Sequence, residues 1–318
     1  MSKPTINDVA RLAGVSKKTV SRVINGSPLL SVKTREKVEA VIAQTGFVPN
    51  PQARALALRR NFLVALVFDE AGAPLVPIVS VALETDLRET GHALILHPVG
   101  ADATGELLGL LERHRPAGVL LLAHKADNLA LAALCAEFGA TCMPILPEGD
   151  RGAMAALVHW LVANGHRRIG FVAGPEGSPT AREREQGYID AIAVHGLDRG
   201  ASLFAASEGT FASGIAAGRL LLSVSPRPTV IVSVNDELAA GVIHAAGELG
   251  VEVPAMLSVT GFDDTPLASR LWPPLTSVHV PWSEWSRAAL RPLLGRCERD
   301  YGLHEPEMAV RGSVARLG

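Results

Sequence analysis

The chain has 318 residues, 48% of them hydrophobic and 19% charged, a globular composition long enough for about two domains at the usual ~100–200 residues each. Its apolar runs, such as Ala117 to Ala123, fall far short of the roughly 20 residues that span a bilayer, and the opening Met1-Ser2-Lys3-Pro4-Thr5 has no apolar signal region. These features argue against a membrane span and signal-directed export, and the net charge of −2 divides unevenly, with +8 over residues 1–60 and −10 over residues 61–318.

A small basic module joined to a large acidic one is the charge pattern of a polyanion-binding head on a globular body. The alternative is a solvated basic face with no partner. Cys135, Cys142 and Cys297 match neither a disulfide framework nor a zinc spacing, so reduced structural thiols and a cytoplasmic setting are expected, with no metal and no cofactor.

In chain order, Thr5-Ile6-Asn7-Asp8 opens a first helix as a capping-box variant, the Thr5 hydroxyl accepting from the first turn and Asp8 sitting at the positive end of the helix dipole. Ile6, Val9, Ala10 and Ala13 form its apolar stripe, and Gly14 supplies a tight turn. Ser16 caps a second helix in which Val20, Val23 and Ile24 face inward, while Lys17, Lys18, Ser21 and Arg22 share the opposite face. Ser31 caps a third helix from Lys33 through Ile42, and Gly46 ends it.

Two short helices joined through a Gly-containing turn, the second presenting only donor-rich side chains, form a helix-turn-helix, with a protein-binding three-helix module as the alternative. The second helix is about as long as the DNA major groove is wide, roughly 12–13 Å. Lysine and arginine can donate to guanine, while Thr5, Ser16, Asn25 and Thr34 are placed to hydrogen-bond phosphates.

The runs Ile6–Ala10, Gly14-Val15-Ser16, Thr19–Gly26, Lys33–Val38 and Pro49-Asn50-Pro51 closely resemble the headpiece of lactose/galactose repressor-type (LacI/GalR) transcriptional regulators. The resemblance implies a headpiece over residues 1–49, with Lys17, Lys18 and Arg22 reading bases and Thr19 and Ser21 beside them on the DNA-binding helix. It also implies that residues 50–61 form a hinge segment that folds on operator DNA and wedges Leu56 into a minor-groove step. From composition alone, Gln52 to Arg60 is a helix-forming stretch too short to be stable in isolation, and a plain linker is the alternative.

From Phe62 onward apolar runs alternate with helical patterns. Strands are expected at Leu63–Phe68, Ala93–Leu96, Gly118–Leu122, Arg168–Val172, Val230–Ser233 and Leu257–Phe262, with helices between them. Such alternation specifies parallel sheets with crossover helices, here two doubly wound subdomains with a ligand cleft at the carboxyl ends of the strands. The body contains no nucleophile elbow, phosphate loop or dinucleotide fingerprint, so it is not read as an enzyme. His159 and His166 read as helix-end or packing residues, and Asp263-Asp264 as polar anchors in preference to an acid/base pair.

Further matches at Gly165–Ile169, Ala173-Gly174-Pro175, Ala181–Arg184, Asn235-Asp236, Gly261–Leu267 and Pro273–Val278 extend the resemblance over essentially the whole chain. It implies a periplasmic-binding-protein-like core over residues 62–318, with subdomains of about 62–150 with 281–302 and 151–280 with 303–318. By the same carry-over Arg184, Asn235 and Asp263 would hydrogen-bond a small effector, Phe211 would stack on it, and Ser178 and Thr180 would stand at the rim. A carboxylate, an amide and a guanidinium around an aromatic suit a sugar.

Three departures stand out. The segment from Met143 to Asp150 is short and the strand that would carry a ligand acid looks missing, with Asp150 as its substitute. Ala73-Pro74-Leu75-Val76 stands where relatives often have Asn-Pro-Phe-Phe, and Val280 stands where glutamine is frequent. The implied activity is that of a dimeric repressor on a pseudo-palindromic operator, controlled by a small molecule, with a periplasmic-type sugar-binding protein or a cleft enzyme as the alternatives.

Overall fold

The computed structural model describes residues 4–24, 29–47, 61–295 and 304–317. Contacts divide the chain into two units, Met1–Phe62 and Leu63–Gly318. Asn25, Leu56 and nearly all of the expected hinge segment lie outside the described residues.

The first unit holds three helices, α1 (Ile6–Leu12), α2 (Lys17–Ile24) and α3 (Val32–Thr45). Each begins at a hydroxyl cap. The Asp8 amide donates to Thr5 Oγ1 and the Thr5 amide to Asp8 Oδ2, while the Thr19 and Thr34 amides donate to Ser16 Oγ and Ser31 Oγ. These bonds satisfy amides that a helix's first turn leaves without partners. Gly14, at φ +59°, makes the turn between α1 and α2, and Gly46 closes α3 in the left-handed region. The core is small and aliphatic: Val9, Ala10, Ala13, Val20, Val23 and Val38 are buried, with Leu30, Val41 and Phe47 packed around them. Burying Val20 and Val23 fixes the roll of α2 and so decides which of its side chains face water.

The second unit contains two parallel four-stranded sheets. In the first, β1 (Leu63–Phe68), β2 (Ala93–Pro98), β3 (Gly118–Leu122) and β4 (Thr141–Ile145) lie in the order β2-β1-β3-β4. Helices α4 (Val76–Thr90), α5 (Ala103–His114) and α6 (Leu129–Glu137) connect them. Alternate strand residues go to opposite faces. Ala65, Val67, Val119 and Leu121 share a core with Leu107, Leu110, Leu111 and Leu131, while Val64, Leu66, Leu120 and Leu122 belong to the core that includes Val79, Leu83 and Leu290. With both faces covered, the strands must be apolar throughout, hence their legibility as unbroken runs.

In chain order α7 (Asp150–Ala163) follows β4 and precedes the second sheet. In the second sheet, β5 (Ile169–Val172), β6 (Phe204–Ala205), β7 (Val230–Ser233) and β8 (Ser258–Thr260) are ordered β6-β5-β7-β8, joined by α8 (Pro179–Val194), α9 (Phe211–Leu222) and α10 (Asp236–Glu248). A short α11 (Pro266–Arg270) leads to β9 (Ser277–His279), which pairs antiparallel with β10 (Glu307–Ala309); between them α12 (Trp282–Leu293) packs back on α4 and β4.

Two expectations are corrected. A strand is present where one looked missing: Thr141–Ile145 pairs in parallel with Gly118–Leu122, its pattern obscured by Cys142 and Pro144. The following helix starts at Asp150, earlier than the Ala155 expected. Leu75, Val76 and Val280, at the departures from the family pattern, are all buried in the main core.

Candidate functional site

On α2, the burial of Val20 and Val23 leaves Lys17, Lys18 and Arg22 exposed and Ser21 half-buried. The neighbouring hydroxyls are engaged in caps: Ser16 Oγ lies 2.9 Å from Thr19 Oγ1, Thr34 Oγ1 lies 2.8 Å from Ser31 Oγ, and Thr5 Oγ1 donates to Asp8 Oδ2 at 2.7 Å. A cap of this kind holds a hydroxyl at the surface in a fixed place, where its remaining hydrogen-bonding capacity meets whatever lies against the helix end. The first unit thus presents three cations on one short helix, with capped ends beside them.

The second unit builds a polar centre at the carboxyl ends of its strands. Arg184, fully enclosed on α8, donates from Nε to Asp150 Oδ2 at 2.7 Å, from Nη1 to the Val234 carbonyl at 2.7 Å and from Nη2 to Asp263 Oδ1 at 2.8 Å. Its guanidinium lies 4.0 Å from the centroid of the Phe262 ring. Trp282 Nε1 donates to the same Asp263 oxygen at 3.2 Å. Asp263 holds φ at +96°, a region costly for a side-chain-bearing residue, and is anchored there by its own amide donating to the Val278 carbonyl and by the ion pair.

Charge states follow from burial. Desolvation pushes the Asp150 carboxyl up to about 6 despite the opposing pull of Arg184. Its Oδ1 is buried without a hydrogen-bond partner, consistent with an anion only half satisfied. Burial opposes the Arg184 charge, but Asp150 and Asp263 outweigh it and the guanidinium is held protonated. Asp236 is pushed up to about 7 by burial and by the Asp263 charge, although Ser277 Oγ and both the amide and hydroxyl of Thr265 donate to it.

The structure brings Arg184, Asp263 and Asp150 into direct contact. Asn235 stands beside them: Val234, whose carbonyl meets Arg184, precedes it, its Oδ1 caps α10 by accepting from the Leu238 amide, and its Nδ2 donates to the Gly209 carbonyl. Ser178 caps α8, its Oγ accepting from the Ala181 amide and lying 3.1 Å from Thr180 Oγ1, with both side chains buried. Ser178 also lines a cavity of about 240 Å³ with Asp69, Lys125, Asp127 and Glu176. Across that region Arg182 pairs with Asp127 at 3.2 Å, and Lys125 with Asp69 at 3.4 Å. Phe211 is 40% exposed and edge-on to His244 of α10.

The paired acids Asp263 and Asp264 diverge. Asp263 turns to Arg184, while Asp264 pairs with Arg311 at 2.6 Å and His279 at 3.2 Å, so each carboxylate meets a cation. His166 is buried, its ring nitrogens bonded to Thr229 Oγ1 and the Ala315 carbonyl. Among the described residues no group of three or more His, Cys, Asp or Glu is arranged to hold a metal ion, and no helix is long and apolar enough to cross a membrane. The contributions of Trp282, Phe262 and the Val234 carbonyl had no counterpart in the sequence reading, because nothing in residue order announces which side chains a buried arginine will meet.

Residues 5–50 match the model of bacterial regulatory proteins of the lacI family, and residues 158–315 match a periplasmic binding protein-like domain. The HTH-type transcriptional regulator CelR of Thermobifida fusca is 32% identical over 312 residues, 92% of each chain. The ribose operon repressor of Haemophilus influenzae is 31% identical over 98% of this chain and 99% of its own. Among solved structures, a lac repressor dimer bound to operator and the anti-inducer ONPF superimposes with a TM-score of 0.75 at 26% identity, over 99% of this chain and 100% of that one. A CelR–cellobiose complex does so with 0.68 at 30% identity, over 98% and 99%.

Proposed function

The chain belongs to the LacI family of DNA-binding transcriptional regulators, and from that premise we propose that it is a cytoplasmic repressor that binds a pseudo-palindromic operator as a homodimer and is controlled by a carbohydrate in its core. The carrying observation is the outward face of α2, where Lys17, Lys18 and Arg22 stand exposed on a helix whose opposite face is buried. Such a helix fits a major groove, its cations donating to guanine edges while Thr5, Ser16, Thr19, Ser21, Asn25 and Thr34 bond phosphates and fix register. Leu56 is assigned the minor-groove wedge. Two-fold symmetry in the protein is then matched by two half-sites in the DNA.

Arg184, Asp263, Asn235, Ser178, Thr180 and Phe211 are assigned to the effector region. Its support is a buried guanidinium held between carboxylates at the carboxyl ends of the strands, the place where open α/β folds take ligands. A sugar's hydroxyls can both donate to such carboxylates and accept from the surrounding donors. Binding would favour one geometry of the dimer over another, and the difference in affinity between the two is the regulatory signal.

The test is selection of genomic fragments by the full chain and by a Lys17→Ala/Lys18→Ala/Arg22→Ala variant, across a range of salt. The expected result is enrichment of one palindromic sequence by the parent and its loss in the variant. Equal enrichment by both would refute the assignment of α2. For the effector, sugars are screened by thermal shift, since a ligand that prefers the folded state raises the melting temperature.

A further inference from the structure

Away from the arginine cluster, α7 and α8 meet along a row of paired side chains. Asp150 faces Arg184, Arg151 pairs with Asp190 at 2.6 Å, and His159 lies against His195. The partners ascend together in sequence, so the two helices run parallel, and Gly187 lets them approach until a methyl there would meet the Arg151 carbonyl. The last pair differs from the others: two imidazoles, both exposed, with His159 Nδ1 only 2.8 Å from His195 Nε2 and ring centroids 4.9 Å apart at an interplanar angle of 70°.

We propose that His159 and His195 form a two-imidazole site for a divalent transition metal, of the copper(II) or nickel(II) class, that clamps the far end of α7 to that of α8. Imidazole is a ligand for both ions. Two nitrogens each ~2.0–2.1 Å from one ion lie roughly 2.9 Å apart when they subtend a right angle, and roughly 3.3 Å apart at the tetrahedral angle. The observed 2.8 Å therefore matches adjacent positions of a square-planar or tetragonal centre better than two corners of a zinc tetrahedron.

In the 2.8 Å contact one ring donates its N–H to the other's lone pair; to bind, the donor shifts to the tautomer protonated on its other nitrogen, and both freed lone pairs turn toward a shared point. The backbones of two packed helices hold the pair in place throughout, so little order has to be created. Exposure leaves the remaining coordination positions to water. The same two helices carry the Asp150–Arg184 pair at their other end, so a metal here braces the element that holds the buried guanidinium.

The experiment titrates full-length protein, stripped of metal and held in a non-coordinating buffer at neutral pH, with CuCl2, NiCl2 and ZnCl2. His159→Gln and His195→Gln are compared with His279→Gln and His304→Gln as controls. The expected result is one copper(II) site with a tetragonal paramagnetic resonance spectrum showing two nitrogen couplings. Its affinity should fall at least tenfold in either of the first two variants and stay unchanged in the controls. Nickel(II) at a hundredfold excess over its Kd should raise the melting temperature by roughly 5 °C in the parent and not in His159→Gln.

Copper binding that is equal in the parent and both site variants, or that is lost in a control, would overturn the assignment and leave an adventitious ion only. Zinc(II) binding tighter than nickel(II) would overturn the geometry. Because the readout is metal binding at two histidines assigned to neither operator nor effector, its failure and the failure of the proposed function are distinguishable.

Discussion

Replacing Arg184 by methionine tests the buried polar centre most directly, because methionine keeps an unbranched stem in the same space and removes only the charge and its donors. Two carboxylates, Asp150 and Asp263, then remain enclosed without the cation that bonds them at 2.7 and 2.8 Å, and the Val234 carbonyl loses its donor. Removing one partner from a buried ion pair typically costs about 3–5 kcal/mol. For a body of this size each kcal/mol lowers the melting temperature by about 2–4 °C, so a fall of about 10 °C is expected. All four tryptophans, Trp160, Trp272, Trp282 and Trp285, lie in this unit, so their fluorescence follows its unfolding without interference from the headpiece.

The effect has a required dependence on pH. Asp150 already binds its proton up to about pH 6 beside Arg184, and without that cation it holds the proton to a higher pH still. As the pH falls from 8 to 5 the variant therefore takes up its proton before the parent does, and the stability gap narrows. Adding Asp150→Asn to the Arg184→Met chain should restore part of the loss at pH 8 and little at pH 5. A melting temperature within 2 °C of the parent at pH 8, or a gap that does not change with pH, would refute the reasoning.

Three further outcomes are expected. Asp236, pushed up to about 7 from the ordinary 3.8, holds its proton more tightly folded than unfolded, so its contribution to stability is full below about pH 4 and is lost as pH rises through 7. Between pH 5 and 8 that loss is roughly 3 kcal/mol at 1.36 kcal/mol per pH unit, and Asp236→Asn, whose amide can still accept from Thr265 and donate to Ser277, should flatten the slope by that amount in urea unfolding; parallel slopes would exclude it. Gly187→Ala adds a methyl against the Arg151 carbonyl and 3.0 Å from Met154 Cβ. The gain in helix propensity of about 1 kcal/mol is then outweighed by overpacking of up to about 3 kcal/mol, giving a lower unfolding midpoint, and an unchanged or raised midpoint would show that α7 and α8 can part freely. Arg22→Ala should weaken binding to the selected operator by about 1–3 kcal/mol while affecting random duplex far less, as read by fluorescence anisotropy at fixed salt; equal losses on both would make Arg22 a phosphate contact.

Much of the architecture was written in local pattern. The headpiece helices were legible because their start signals are chemical: Thr5, Ser16 and Ser31 each place a hydroxyl where a first-turn amide needs an acceptor. Strands covered on both faces are unbroken apolar runs, so β1, β3 and β7 stood out, whereas β4, interrupted by Cys142 and Pro144, and the two-residue β6 did not. The exposed face of α2 followed from a 3.6-residue period that places Val20 and Val23 opposite Lys18 and Arg22.

What residue order alone left open was set by contacts between positions far apart. Arg184 and Asp263 are separated by 79 residues, and only the closing of the second sheet with its flanking loops decided that the guanidinium would be saturated by protein groups, Asp150 among them. The same holds for Phe211, which packing turned toward His244, and for His159 and His195, 36 residues apart. Capping and periodicity act within a few residues and leave their mark in the sequence. Burial, ion pairing and lone-pair direction depend on which surfaces meet, and that is settled only when the chain is packed.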